Sequence, residues 1–296
     1  MRVFVTGGTG FVGSAVVREL LDAGHQVTGL ARSDAAAAAL TAAGAGVRRG
    51  ALEDAASLRR GADASDGVIH LAFNNISETT DFAASCQADR FAIEALGEAL
   101  AGSGRPLVVT SGTGLLPPGR PGTEQDEPDT TPFAALRGAS ETVALAFAGR
   151  GVRASVLRLP FSVHGTGDRG FVPALIGFAR AAGLSAYPGD GANRWPAVHR
   201  LDAANLFRLA VEAAPAGARL HAVADEGVPV RDIAEVIGRH LSVPVTSVPD
   251  PGHFGFLAHF ITMDGPASSA LTRERTGWQP VQPGLIPDLD KGHYFD

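Results

Sequence analysis

The chain has 296 residues, 45% of them hydrophobic, so it can bury a sizeable core and is too apolar to be disordered. Its formal net charge of −6 argues against a nucleic-acid or anionic-membrane surface, and charges interrupt every apolar run before it reaches transmembrane length. Cys86 is the single cysteine and no signal peptide is visible, which favours a cytoplasmic protein without disulfides.

Short apolar runs alternate with helical stretches over the first 160 residues. The runs that we interpret as buried strands are 2–6, 26–31, 67–73, 106–110 and 153–159. The stretches that we interpret as helices, several of which end at glycine, are 11–24, 34–44, 54–61, 81–103 and 132–150. This alternation predicts an α/β fold in which helices cover both faces of a parallel sheet.

The pattern loosens after residue 160, where loops rich in glycine and proline separate shorter elements. Two amphipathic helices are still predicted, at 200–214 and 230–241. We therefore divide the chain into a nucleotide-binding core at 1–160 and, at 161–296, a smaller substrate-binding lobe with some elements that return to the core sheet.

A glycine motif follows the first strand and opens the first helix. Gly7, Gly10 and Gly13 have G-x-x-G-x-x-G spacing in "TGGTGFVG". Such a turn needs a positive φ, a close approach of backbone to a pyrophosphate and tight packing of helix on strand. A helix N-terminus then faces the phosphates. The motif predicts dinucleotide binding, and a purely structural turn is the alternative.

Further segments in the expected order resemble the extended short-chain dehydrogenase/reductases of the NAD-dependent epimerase/dehydratase type. They are "HLAF" at 70–73, "VVTSGTGLL" at 108–116, "LRLPFSVHGTGD" at 157–168, "AVHRLDAANLFRLAVE" at 197–212 and "TGWQP" at 276–280. The resemblance implies a Rossmann-type doubly wound parallel sheet with a smaller C-terminal lobe. It also implies that the cofactor is bound by Gly7, Thr9, Gly10, Phe11, Val12, Gly13, Leu52, Leu71, Ala72, Phe73 and Pro160.

The end of the second predicted strand bears on the choice of nicotinamide cofactor. A carboxylate at this point accepts hydrogen bonds from the adenosine ribose in NAD-dependent proteins. This chain instead has Arg32 and Ser33, a cation and a hydroxyl that suit a 2′-phosphate. We expect NADP rather than NAD, although Ser33 could merely cap the next helix while Arg32 is solvated.

The Tyr-x-x-x-Lys pair of the family is missing. Aligned on "RGASETVAL", Arg137 takes the tyrosine position and Glu141 the lysine position, and the only tyrosines and lysine lie elsewhere, at 187, 294 and 291. The chain thus resembles the atypical short-chain dehydrogenases, which keep the fold and lose this pair. Arg137 is predicted to polarise a substrate oxygen, and Glu141 either to bind the nicotinamide ribose or to hold Arg137. The alternative is an exposed i,i+4 ion pair between them.

The sequence leaves the identity of the proton donor open. Ser111 and Thr113 lie near the family's Ser/Thr position and could bond a substrate carbonyl, or could satisfy loop backbone groups instead. His164 replaces a family tyrosine and could donate a proton, or could be a hydrogen-bonded loop histidine. Asp202 is expected to cap the helix that begins near it. No metal-ligand spacing is found.

These observations predict an NADP(H)-dependent oxidoreductase acting on a small carbonyl or alcohol substrate. A non-catalytic NADP(H)-binding sensor or scaffold is the first alternative, and an epimerase or dehydratase that retains its cofactor is the second. We expect no nucleic-acid or membrane partner. The resemblance implies a possible homodimer through the helices at 81–103 and 132–150.

Overall fold

The computed structural model describes residues 1–73 and 81–295, and its elements follow the predicted alternation. The strands are β1 Arg2–Thr6, β2 Gln26–Ala31, β3 Gly46–Arg49, β4 Gly67–His70, β5 Pro106–Gly112, β6 Arg153–Leu159, β7 Ser162–His164, β8 Ser185–Tyr187, β9 Arg194–His199, β10 Ala218–His221, β11 Asp225–Pro229 and β12 Val245–Ser247. The helices are α1 Phe11–Asp22, α2 Asp34–Ala42, α3 Ala55–Asp63, α4 Phe82–Leu100, α5 Pro132–Ala146, α6 Phe171–Ala182, α7 Arg200–Ala213, α8 Val230–Leu241, α9 Ala270–Thr276 and α10 Leu285–Leu289. No described helix has the length and apolarity that crossing a bilayer requires.

Seven parallel strands form the central sheet in the order β10-β6-β5-β4-β1-β2-β3. The chain starts in β1 near the middle, winds outward to β3, then crosses to β4 and winds outward the other way. The carboxyl ends of β1 and β4 are therefore neighbours at the reversal, with Thr6 paired to His70. Ligands of open α/β sheets bind outside the strand ends at such a reversal.

Helices cover both faces of this sheet, because its strands bury side chains on both sides. Val16 and Leu20 of α1 pack with Phe207 of α7 on one face. On the other face α3, α4 and α5 enclose a second core that includes Leu58 and Ile93. The doubly wound sheet is as the sequence predicts.

Most of the chain beyond residue 160 forms a smaller lobe. Its three-stranded sheet has the order β11-β9-β7, β8 pairs with β12, and α6, α8 and α10 pack around a third core that contains Trp195 and Phe254. Two elements return to the central sheet, namely α7, which packs on α1, and β10, which extends the sheet beside β6.

The edge strand β3 of the central sheet was not predicted from the sequence. Its four residues "GVRR" include two arginines and lie at the edge of the sheet, where Val47 is exposed. An edge strand with little buried surface lacks the apolar signal by which strands are recognised.

Candidate active site

The glycine turn closes tightly on the end of β4. Gly7 has φ +72°, and a Cβ there would lie 2.6 Å from the backbone nitrogen of Ala72. A Cβ on Gly13 would collide with the carbonyl oxygen of Gly7. Gly10 does not have the positive φ expected of the turn. It is the N-cap residue of α1, with φ −71° and ψ 174°, an ordinary extended conformation. Positive φ is thus required at Gly7, and Gly10 serves by leaving space in front of the helix.

The N-terminus of α1 fits a dinucleotide pyrophosphate. Among the described residues no side chain caps this helix, and its first turn holds no acidic residue, so the backbone N–H groups of Phe11, Val12 and Gly13 have no side-chain acceptor. Thr9 and Gly10 are exposed beside them. The guanidinium of Arg200 lies 5.2 Å from the centre of the Phe11 ring. Arg200 is a cation at the dinucleotide turn that the sequence analysis missed, because it lies 189 positions away from Phe11 along the chain.

The other predicted cofactor residues lie around the same edge of the sheet. Leu71, Ala72 and Phe73 follow β4 and are half-buried, and the first two face the Gly7 turn. Leu52 packs on the core beneath α3 and α4, and Pro160 is buried directly after β6.

The geometry of Arg32 and Ser33 after β2 is compatible both with binding of a 2′-phosphate and with a helix cap beside a solvated arginine. Ser33 caps α2 by accepting from the Ala36 N–H at 3.2 Å. Arg32 is exposed, and no ion pair to it occurs in the described parts of the chain. Arg49 of β3 is paired in register with Ala31 and forms an ion pair with Asp34, which compensates its charge.

Arg137 is held firmly at the carboxyl end of β5. Its guanidinium donates to Asp89 Oδ2 of α4 and to the backbone carbonyl of Thr110, both at 2.6 Å. Its central carbon lies 4.6 Å from the centre of the Phe73 ring. The side chain is 12% exposed. Two hydrogen bonds and a ring contact thus fix a guanidinium that retains accessible surface.

A buried network supports this guanidinium from below. Asp89 Oδ1 lies 3.2 Å from Nε2 of His70, whose Nδ1 lies 2.7 Å from Thr6 Oγ1. The Nε2–H of His70 donates to Asp89, because a carboxylate only accepts, and His70 thereby holds the carboxylate in place beneath Arg137. Burial raises the pKa of Asp89, but the charge of Arg137 and the His70 hydrogen bond outweigh burial and leave that pKa below its usual range.

Glu141 requires a correction of both predicted roles. Its carboxylate oxygens accept from Nε and Nη2 of Arg158 at 2.8 and 2.6 Å, and the side chain is 1% exposed. The expected pair with Arg137 is therefore wrong, since Glu141 pairs with Arg158 on β6. With both oxygens taken inside the core, we revise Glu141 from a cofactor contact to the counter-charge of Arg158. Burial raises the pKa of Glu141, and Arg158 more than reverses that effect.

The two hydroxyls near the family's Ser/Thr position differ in their surroundings. Ser111 pairs in register with Arg158 and lies beside the Glu141 carboxylate, whose pKa it helps to lower. Thr113 begins the short 3-10 turn after β5, is 2% exposed, and its Oγ1 has no partner within residues 1–73 and 81–295. Ser111 Oγ is likewise buried without a hydrogen-bond partner among the described residues, so both hydroxyls keep hydrogen-bonding capacity.

His164 does not suit the role of proton donor. It is fully buried on β7, and its Nδ1 lies 2.9 Å from Asp288 Oδ2. Burial lowers its pKa, opposed by Asp288, so the ring is neutral near pH 7. We revise it to a structural histidine. His199, rather than Asp202, caps α7, and Asp202 accepts from the N–H groups of Val281 and Gln282.

Four aromatic side chains near the cleft and in the smaller lobe divide into two groups. Trp195 and Phe161 are buried core residues of the smaller lobe. Phe73 is half-buried under Arg137, and Tyr187 lies under Arg231. In the described residues, no cluster of three or more His, Cys, Asp or Glu is placed to hold a metal ion.

Comparison with known proteins agrees with this geometry. The model of the NAD dependent epimerase/dehydratase family matches residues 3–223. This chain belongs to that family. As a member of the epimerase/dehydratase family it has an NAD(P)-binding Rossmann fold of the short-chain dehydrogenase/reductase type, as the sequence motifs predict.

Relatives of this epimerase/dehydratase-family chain include one uncharacterised protein and one reductase. The first, from Schizosaccharomyces pombe, is 50% identical, with 100% of each chain covered. The second, the 2-alkyl-3-oxoalkanoate reductase of Stenotrophomonas maltophilia, is 31% identical over 74% of this chain and 67% of its own. The dTDP-glucose 4,6-dehydratase of Streptomyces venezuelae, solved with NAD, shares the fold at a TM-score of 0.79 and 22% identity, covering 99% of this chain and 96% of that one.

Proposed function

We propose that this protein is an NADP(H)-dependent oxidoreductase that acts on a small carbonyl or alcohol substrate, with Arg137 in the place of the usual tyrosine. Family membership and the uncapped glycine turn support nicotinamide binding. The name of the 31% identical relative, a 2-alkyl-3-oxoalkanoate reductase, supports carbonyl reduction within this family.

The observation that carries the proposal is the fixed guanidinium of Arg137. A guanidinium cannot act as a general acid near pH 7, because its pKa exceeds about 12. It can hold a carbonyl oxygen and stabilise the alkoxide that develops there, and such contacts are most effective when the donor is already in place. Asp89 and the Thr110 carbonyl hold it in place before any substrate binds.

A reduced nicotinamide held at the glycine turn would supply a hydride to the carbonyl carbon, and the electron pair of the C=O π bond would move to oxygen. Arg137 stabilises the resulting negative charge. The proton that completes the alcohol would then come from the Ser111 or Thr113 hydroxyl, resupplied by solvent, or directly from water. We do not assign this proton to His164, because Asp288 holds its Nδ1 in the core of the smaller lobe.

The preference for NADP over NAD rests on the end of β2. Arg32 is exposed there, and Arg49 lies on the neighbouring strand. A 2′-phosphate adds charge that a guanidinium binds well, whereas a carboxylate at this point would repel it. The Ser33 hydroxyl can donate to the same phosphate while its oxygen accepts from Ala36.

A non-catalytic NADP(H) sensor is the second candidate, and one observation favours it. Both tyrosines are occupied elsewhere: Tyr294 bonds Gly165 and Asp168, and Tyr187 contacts Arg231. Neither can reach the position of the missing acid in the described structure.

A turnover assay separates the two candidates. The protein is saturated with NADPH and offered a broad panel of ketones, aldehydes and diketones, while the near-ultraviolet absorbance of the reduced nicotinamide is followed. Oxidation with one class of carbonyl, abolished in Arg137→Ala, supports the reductase. Tight NADPH binding with no oxidation across the panel supports the sensor.

We also propose a homodimer through α4 and α5. These helices and α3 border a groove of about 380 Å³ lined by Phe91, Ala95, Val143 and Ala146, among others, and Phe91 is 42% exposed. Small residues allow a second pair of helices to approach closely. Sedimentation of the wild type and of Phe91→Asp at micromolar concentration tests this, and a monomeric wild type would contradict it.

A further inference from the structure

A row of aromatic side chains begins at the Arg137 guanidinium and continues into the smaller lobe. We define the aromatic row as Phe73, Phe82, Phe133 and His259. Ring centres of Phe73 and Phe82 lie 6.1 Å apart, those of Phe82 and Phe133 4.6 Å with planes 12° apart, and those of Phe133 and His259 5.0 Å. Phe260 lies beneath Phe133, edge to face at 5.4 Å.

The row and the guanidinium are parts of one surface. Phe133 and Arg137 are four residues apart on α5, so they occupy the same face of that helix. Phe73 contacts Arg137 at the other end of the row. The three phenylalanines are half-buried and His259 is exposed, whereas Phe260 is buried. The rings therefore present accessible apolar area next to the group proposed to hold the substrate oxygen.

The charge of this surface is balanced. Arg137 is paired with Asp89, so its positive charge is matched by one buried negative charge. The aromatic row makes one cation–ring contact in the described part of the chain, and that contact is to Arg137. The cation that contacts the row in the described residues is thus already paired, and the apolar rings would strip water from a phosphate without replacing its hydrogen bonds.

We infer that the substrate is an uncharged carbonyl compound with a flat, unsaturated body, such as an aryl ketone, rather than a sugar nucleotide. Its carbonyl oxygen bonds Arg137, and its ring lies against Phe133 and Phe82. This inference rests on the proposed function, since it names the substrate class of the same site.

The test uses matched probes and a readout independent of turnover. Binding of 1-phenyl-1,2-propanedione, its saturated analogue 1-cyclohexyl-1,2-propanedione and UDP-glucose to the protein loaded with oxidised cofactor is measured by isothermal titration calorimetry. A flat ring stacked on aromatic side chains is worth about 0.5–1.5 kcal/mol, so we expect the phenyl probe to bind about two- to twelve-fold more tightly than the cyclohexyl probe.

Two variants locate that preference. Phe133→Leu retains apolar volume and removes the ring, so we expect the phenyl preference to disappear. Phe256→Leu is the matched control, because Phe256 is 39% exposed in the smaller lobe and contacts Phe171 and Phe178 rather than the row. We expect the preference to survive there. Thermal unfolding of both variants confirms that each is folded.

The outcomes separate the inference from the proposed function. Equal binding of both diones, tighter binding of UDP-glucose, absence of binding by either dione, or an unchanged preference in Phe133→Leu would overturn the inference. A phenyl preference without NADPH oxidation would uphold the inference and contradict the reductase. Oxidation without any phenyl preference would uphold the reductase and contradict the inference.

Discussion

Arg137 on α5 and Asp89 on α4 are joined by an ion pair in which Nη1 lies 2.6 Å from Oδ2. Asp89 is almost wholly buried and stays ionised near neutral pH, because Arg137 and His70 hold its pKa below the usual range against the effect of burial. The pair therefore does two things at once. It fixes the guanidinium at the cleft, and it makes the guanidinium necessary for the stability of a buried carboxylate.

Substitution of Arg137 should consequently affect both stability and activity. We expect Arg137→Ala to lower the free energy of unfolding by about 3–5 kcal/mol, because it leaves Asp89 buried without a counter-charge. We expect its turnover to fall by about 10²-fold or more if the guanidinium holds the developing oxyanion. Urea unfolding and single-turnover NADPH oxidation measure the two effects.

A double variant separates these two effects. In Arg137→Met with Asp89→Asn the buried charge is gone, and the amide oxygen can still accept from His70. We expect most of the lost stability to return and the turnover to stay low. If the double variant recovered turnover as well, Arg137 would have only a structural role.

Arg32 should set the cofactor preference. We expect Arg32→Ala to weaken NADPH binding about tenfold, the effect of losing a charge-assisted hydrogen bond, and to leave NADH binding unchanged. Arg18→Ala is the control, because Arg18 is an exposed arginine of α1 paired with Asp22. Fluorescence titration of both cofactors gives the affinities. A wild type that binds NADH more tightly than NADPH would contradict the proposed preference.

The sheet and the glycine turn could be predicted from sequence because their causes are local. Apolar runs of strand length mark β1 and β6, and the close contact of Gly7 with Ala72 follows from a motif of seven residues. The strands of the smaller lobe contain three to six residues each, as short as those of the core, but they lack the regular alternation with helices that marks the core strands. Residues 74–80, which connect the predicted cofactor segment ending at Phe73 to the predicted helix at 81–103, lie outside the described residues.

The partners of Arg137 and Glu141 could not be predicted in the same way. Their spacing of four suggested a pair with each other, which is the only contact that local geometry can indicate. Arg137 instead pairs across 48 positions with Asp89, and Glu141 across 17 with Arg158. Both partners become neighbours only when α4 and β6 pack against α5, and that is a property of the whole fold.

Substitution of Glu141 should lower stability and leave cofactor affinity nearly unchanged, whereas substitution of a cofactor ligand would do the reverse. We expect Glu141→Ala to destabilise the protein by about 3–5 kcal/mol, since Arg158 would be fully buried without a counter-charge. The folded fraction should bind NADPH within about threefold of the wild type, less than the loss of one hydrogen bond to a charged group would cause. Unfolding by urea and cofactor titration at low temperature measure both. Normal stability with strongly weakened binding would restore the original assignment.

The loop after β7 carries a carboxylate whose ionisation opposes folding. Asp168 accepts from the N–H of Gly170 at 2.7 Å and from the hydroxyl of Tyr294 at 3.1 Å. Burial raises the pKa of Asp168 to about 6, although both hydrogen bonds work against that rise. A group whose pKa is raised on folding stabilises the folded state below its unfolded pKa, and this stabilisation is lost as pH rises through the folded value. The window for Asp168 therefore runs from about pH 4 to about pH 6.

Asp168→Asn should remove this dependence, because the amide cannot ionise and can still bond Gly170 and Tyr294. We expect the variant to gain in Tm relative to the wild type as pH rises from 4.5 to 7, within the range that brackets these pKa values. The buried His164 and His199 have lowered pKa values and oppose this trend in the wild type, since they resist protonation as pH falls. They are present in both proteins, so the difference in Tm isolates Asp168. A difference that stays constant across this range would show that Asp168 is ionised throughout and that the loop does not sense pH.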